Sequence, residues 1–111
     1  WRSVPRAGDV AGRAQQVLHT MRELRMARHA VSIHAEGLSP LDAILAGPGG
    51  ERNAKTFGWP EPYPDPAGVI DRRAAAEART DQLAAADFAV LDSDERTELA
   101  ALLAAAVAHA I

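Results

Sequence analysis

The chain predicts an all-α fold of about four to five helices, with one long N-terminal helix packed against a C-terminal helical hairpin. Three observations predict it. Ala makes up between a fifth and a quarter of the 111 residues and β-branched residues are few, a balance that favours helix over sheet. Apolar residues recur at steps of three and four, and no stretch alternates as a strand does. Capping residues punctuate the chain where helices should begin: Asp9, Ser39-Pro40, Asp65-Pro66 and Asp92 through Glu95.

Residues 1–8 (WRSVPRAG) read as an irregular lead-in, because Pro5 and Gly8 discourage helix. The first residue is Trp1 rather than Met, as expected of a chain that starts mid-protein or follows an upstream domain. Residues 9–111 then form a single helical domain.

The long helix runs from an Asp9 N-cap to Gly37, a favourable C′ residue. Unbroken, it spans about 40 Å. Val10, Ala14, Val17, Met21, Leu24, Val31 and Ala35 fall on one face and predict a seam for core or dimer packing. Arg28 interrupts this seam and needs a partner, since an unpaired buried charge is costly. Beside the seam lies a flanking strip of Leu18, Arg22, Arg25 and His29.

Ser39, Pro40 and Asp42 then start a short helix, with Leu41, Ile44 and Leu45 as its apolar face and an end near Gly47. Residues 47–66 are a Gly/Pro-rich loop in which ERNAKTF adds one or two helical turns. Pro residues after Trp59 keep the backbone extended or turning, and Trp59 with Tyr63 pins this linker onto the helices. The helix from Asp65-Pro66 places Val69, Ile70, Ala76, Leu83 and Ala84 on its buried side and leaves Asp71, Arg72, Glu77 and Arg79 in water. It fades between Phe88 and Leu91. The last helix follows the Asp92–Glu95 capping box and carries the cleanest stripe: Leu99, Leu102, Leu103, Ala106, Val107 and Ala110.

Composition excludes several classes. Without cysteine there are no disulfides, thiolate zinc sites or cysteine nucleophiles. Nothing is apolar for long enough to span a membrane or serve as a signal peptide, so a cytoplasmic location is expected. The net charge of −3 divides unevenly: residues 1–60 carry about three excess basic groups, and residues 61–111 about six excess acidic ones. The acidic half argues against a nucleic-acid partner. All but one of the basic residues are Arg, which with the Ala excess points to GC-rich coding, so Arg counts alone say little.

Four histidines, His19, His29, His34 and His109, lack the spacing of a helical zinc pair, and no metal site is expected. No P-loop, Rossmann glycine pattern, nucleophile elbow or paired catalytic carboxylates occur, so no catalytic residues and no cofactor are assigned. The remaining candidate is a ligand-binding cluster of Arg22, Arg25, Arg28 and His29, with Trp59 as an aromatic neighbour. Guanidinium forks hold carboxylates or phosphates, and such charges tune an adjacent imidazole. The competing structural reading is a polar helix edge, salt-bridged to acids of the C-terminal half such as Asp81 or Asp87.

The run MRELRMARHAVSIHAEG (residues 21–37) followed by LSPLDAIL resembles an uncharacterised actinobacterial family of helical proteins. Its helix carries Arg-Glu-x-Arg-x-x-x-His, matched here by Arg22, Glu23, Arg25 and His29. Gly58-Trp59 and the segment from Thr80 to Leu91 resemble later motifs of that family. Met26, Ala27 and Arg28 stand where the family has Gly-Asp-Gly, and a proline-rich linker replaces its winged-helix-like segment. The last two helices are similar to the closing dimerisation helices of MarR-type regulators. The resemblance implies architecture more than activity.

Three functions follow as expectations. The first is a non-enzymatic helical module that forms a homodimer, or docks on a partner domain through apolar helix faces, and binds a small anionic ligand. The second is a winged-helix or MarR-related transcription regulator, or its dimerisation part. The third is an enzyme using an Arg25/His29 pocket.

Overall fold

The structure, a computed structural model, describes residues 3–110, with side chains through Ala108. Trp1, Arg2, the His109 and Ala110 side chains and Ile111 lie outside the described residues. Five α-helices form: α1 (Val10–Ala35), α2 (Pro40–Leu45), α3 (Gly50–Thr56), α4 (Ile70–Ala85) and α5 (Ser93–Ala110). Two 3-10 turns, Pro66–Val69 and Ala86–Phe88, bracket α4. The described residues contain no strand.

Local chemistry sets the boundaries. Asp9 caps α1 by accepting from the Gly12 amide at 2.8 Å. At the other end Gly37 takes φ +66, and the amides of Gly37 and Leu38 reach back to the carbonyls of His34 and Ile33. This is a Schellman close, in which only glycine turns left-handed without strain. It brings Leu38 onto Ile33, and both are buried with Ala76 in the small core. Ser39 caps α2 as expected, and Asp42 completes a reciprocal capping box with it. Asp65 caps as expected, but the turn it opens is 3-10 and the α-helix begins at Ile70. Asp92 accepts from the amides of Asp94 and Glu95 at 2.9 Å each, and the Glu95 carboxylate accepts from the Asp92 amide at 2.9 Å.

α4 lies antiparallel along the C-terminal half of α1, as the order of their cross-links shows: Arg25 meets Asp81, His29 meets Thr80, and Arg72 meets the end of α1 at Glu36 and Gly37. Fully buried side chains on these two helices are small: Ser32 on α1, Ala76 and Thr80 on α4. Small residues let two helix backbones approach closely. Leu45 of α2 and Ala54 of α3 are also buried, beside this contact rather than inside it.

Two expectations about faces require correction. The Val10-to-Ala35 seam is not the core: Val10 is 73% exposed and Val31 63%, and Val17 and Leu24 are also exposed. The side of α1 turned toward α4 is the neighbouring one, with Arg25, Arg28, His29, Ser32, Ile33 and Glu36. On α4, Ala76 is buried but Ile70 and Leu83 are exposed, while Val69, in the 3-10 turn before it, packs on the core. Glu77, expected in water, is half-buried at the contact, and Thr80 is fully buried there. Ion pairs, which hydropathy does not count, turn both helices away from their most apolar side.

Among the described residues α5 makes no extensive contact with any other element. Its stripe is only partly covered: Leu99 and Leu103 are half-buried, while Leu102 and Val107 are exposed. The described part of the lead-in, residues 3–8, folds back on the first turns of α1. Gln16 ties it down, its carboxamide oxygen accepting from the Ala7 amide at 2.9 Å and its Nε2 donating to the Pro5 carbonyl at 3.0 Å.

Candidate functional site: the arginine and histidine strip of α1

Helical spacing places Arg25, Arg28 and His29 within two turns of one another, facing the acids of α4 and the turn after it. Arg25 Nη2 donates to Glu77 Oε2 at 3.0 Å and to Asp81 Oδ1 at 3.1 Å. Arg28 forms a two-pronged pair with Asp87, one bond from Nη1 and one from Nη2 at 2.7 Å. This supplies the partner that a cation in an apolar seam requires. Arg22 is exposed and, among the described residues, pairs with its neighbour Glu23 at 3.0 Å.

Glu77 is the hub. It accepts from Arg25 and, at 2.7 Å, from Arg73 one helical turn back, and its Oε1 lies 3.9 Å from His29 Nε2. Partial burial alone would raise this carboxyl. Hydrogen bonds from Arg73 and Arg25 outweigh that effect and hold it below the ordinary carboxylate range. The Asp87 carboxyl is likewise lowered by its hydrogen bonds from Arg28.

His29 is set by burial more than by charge. Its ring Nδ1 lies 3.1 Å from Thr80 Oγ1, and that hydroxyl donates to the Ala76 carbonyl at 2.7 Å. With the hydroxyl proton so committed, Oγ1 accepts, which assigns the ring proton to Nδ1. Burial lowers the imidazole pKa, the Glu77 charge opposes that, and Arg73 and Arg25 lower it further. The net direction is down, so at neutral pH the ring is uncharged and its approach to Glu77 is a contact rather than an ion pair.

The structure therefore brings together Arg25, Arg28 and His29 and leaves Arg22 on the rim. Trp59 lies in the linker after α3, and no hydrogen bond or ion pair among the described residues joins it to the strip. Its carbonyl accepts from the Tyr63 hydroxyl at 3.1 Å, so the linker folds on itself. Three residues of the cluster were not expected from the sequence: Arg73, Glu77 and Thr80. Their spacing from Ala76 and Ala84, all on one side of α4, was the available signal.

The hollow beside the strip is small, about 170 Å³, lined by Met21, Arg22, Arg25, Ala84, Asp87 and Phe88. Binding pockets for small molecules run several-fold larger. Among the described residues no group of three or more His, Asp or Glu side chains is placed to hold a metal ion, and no helix is long and apolar enough to cross a membrane. Arg25 and Arg28 already hold carboxylates, so an external anion would have to displace them. What this arrangement does chemically is fix the register of α1 on α4. No family model, curated protein or solved structure matches the chain.

Proposed function

We propose that the protein is a non-enzymatic helical docking module, a subunit whose first and last helices complete their packing against another protein surface. One observation carries this reading: the chain exposes too much surface for its mass. Its accessible area is 8432 Å², whereas a folded monomer of 11.8 kDa exposes about 5,900 Å². The radius of gyration is 17.1 Å, against about 13 Å for a compact domain of this length. Buried on both of two partners, a difference of about 2,500 Å² per chain would total about 5,000 Å², at the large end of obligate subunit interfaces.

α5 and the N-terminal half of α1 contribute to this surplus: among the described residues no other helix packs extensively on either, and Val10, Val17, Leu18, Leu102 and Val107 lie exposed there. An 18-residue helix gains little from propensity alone, and in proteins such helices are held by packing an amphipathic face. An enzyme built on Arg25 and His29 would need space beside both groups, and that space is taken by Glu77, Asp81 and Thr80. A winged-helix regulator would bind duplex DNA with salt-dependent affinity, which the acidic excess of residues 61–111 opposes.

Amide hydrogen exchange tests the proposal. In any monomeric population, α5 and the first half of α1 should exchange far faster than α4, and they should become protected only in an assembled species. A clean monomer in which α5 is as protected as α4 would overturn it.

A further inference from the structure

The two uncovered surfaces have complementary chemistry. The lead-in and α1 enclose a groove of about 1000 Å³, with Val4, Pro5, Val17 and Met21 among its lining and Arg6 and Arg13 beside them. No carboxylate occurs among its described lining residues. Among the described residues neither Arg6 nor Arg13 has an acidic partner; Arg13 donates to the Gly8 carbonyl at 3.2 Å. This sets the groove apart from the strip one turn further along α1, where Arg25 and Arg28 are held by acids. The Gln16 bonds hold the lead-in in place, so the groove has two walls before anything enters it.

α5 carries the opposite pattern. Asp94 and Glu95 occupy its first turn, Glu98 follows, and Leu102 and Val107 lie exposed at 61% and 60% beyond them. Its 18 residues extend about 27 Å, and Val10 to Leu24 of α1 extend about 22 Å. With the acidic turn beside Arg6 and Arg13, the parallel register brings Leu102, one turn beyond Glu98 on the same side of α5, level with Val17 and Met21, while Val107, five residues further on, lies on a different side of the helix.

We infer that the occupant is a second copy of this chain: α5 of each protomer lies in the lead-in groove of the other, forming a reciprocal two-fold dimer. The inference rests on the docking reading above and names its partner. Both halves of the complementary pair lie on one chain, in an excess of about three basic groups before residue 61 and about six acidic groups after it. A reciprocal exchange uses every groove and every α5, so one contact covers both exposed faces in each protomer. A one-sided contact with an unrelated protein would leave one of them bare.

Two charge-reversed chains test this. Variant one carries Arg6→Glu and Arg13→Glu; variant two carries Asp94→Lys and Glu98→Lys. The parent chain should weigh twice 11.8 kDa by light scattering at low salt. Each variant alone sets like charges against one another in both contacts, and should dissociate at least about tenfold more readily. Mixed one to one they restore opposite charges at both contacts and should form a heterodimer. Circular dichroism of each variant separates dissociation from unfolding, and recovery on mixing is a result that unfolded chains cannot give. A parent dimer indifferent to both reversals would overturn this surface, as would failure of two folded monomeric variants to recover on mixing. A parent monomer with unprotected α5 would overturn self-association while leaving the docking proposal standing.

Discussion

The two halves of α1 solve opposite problems. Its C-terminal half carries the intramolecular contact, and does so through its polar side: Arg25, Arg28 and His29 meet Glu77, Asp81, Asp87 and Thr80, with small side chains between the backbones. Its N-terminal half has no such contact with another helix among the described residues and leaves Val10, Val17 and Leu18 exposed. A hydrophobic face turned outward beside a polar face turned inward places specificity inside the chain. Surplus transfer free energy is left at its surface. Ion pairs fix register and contribute modestly to stability, whereas exposed apolar area of this extent favours association.

The largest expected effect is at the tightest point of the packed half. Ala76 is fully buried on α4. Ala76→Leu adds volume that the contact cannot accept, and should cost about 2–3 kcal/mol in urea denaturation. The matched change on the uncovered helix, Ala104→Leu, has open space around it and should stay within about 0.5 kcal/mol. Equal costs at the two sites would end the distinction between a packed and an uncovered region.

Much of this contrast was hidden in the sequence, for an identifiable reason. Boundaries were legible because they are local: Ser39 with Asp42, Asp92 with Glu95, and Gly37 each act within a few residues. So were some partners of the strip, since acids of the C-terminal half such as Asp81 or Asp87 are expected along this edge, and they pair with Arg25 and Arg28. Facing was not legible. Periodicity selects the most apolar side of a helix, but α1 has two useful sides, and the one buried within the chain is chosen by acids more than fifty residues away. Glu77 illustrates the limit: by itself it is an exposed helical acid, and only Arg25, Arg73 and His29 together make it a hub.

A sharper test uses two buried hydroxyls. Ser32 and Thr80 are both fully buried, but Thr80 Oγ1 is bonded to the Ala76 carbonyl and to His29, whereas Ser32 Oγ has no partner among the described residues. An unmet buried hydroxyl is a cost carried by the fold. Ser32→Ala removes it without changing the packing, and should stabilise the chain by about 1 kcal/mol. Thr80→Val keeps the shape and abandons two bonded groups, so it should destabilise by about 1–2 kcal/mol. Loss of stability in Ser32→Ala would mean that the hydroxyl is satisfied after all and the contact is more polar than drawn.

The smallest effect concerns pH and isolates the same contact. His29 has a pKa lowered from 6.5 by burial, so the folded chain favours the neutral ring. As pH falls through 6.5 the unfolded chain takes up a proton that the folded chain resists. Unfolding then binds protons, and stability declines until the folded-state value is passed. Glu77 acts in a lower window: its depressed carboxyl contributes stability that is lost only as pH falls from about 4.5 downward. Between pH 7.5 and 5.5, therefore, the decline should belong to His29 and flatten in His29→Gln, while Glu77→Gln should lower stability at both values. Because Arg25 and Arg73 flank the ring, removing either charge should make protonation easier and shrink the decline. A slope that rises toward acid would mean that the Glu77 charge outweighs burial, and that the strip is an ion-pair network throughout rather than a neutral contact edged with charges.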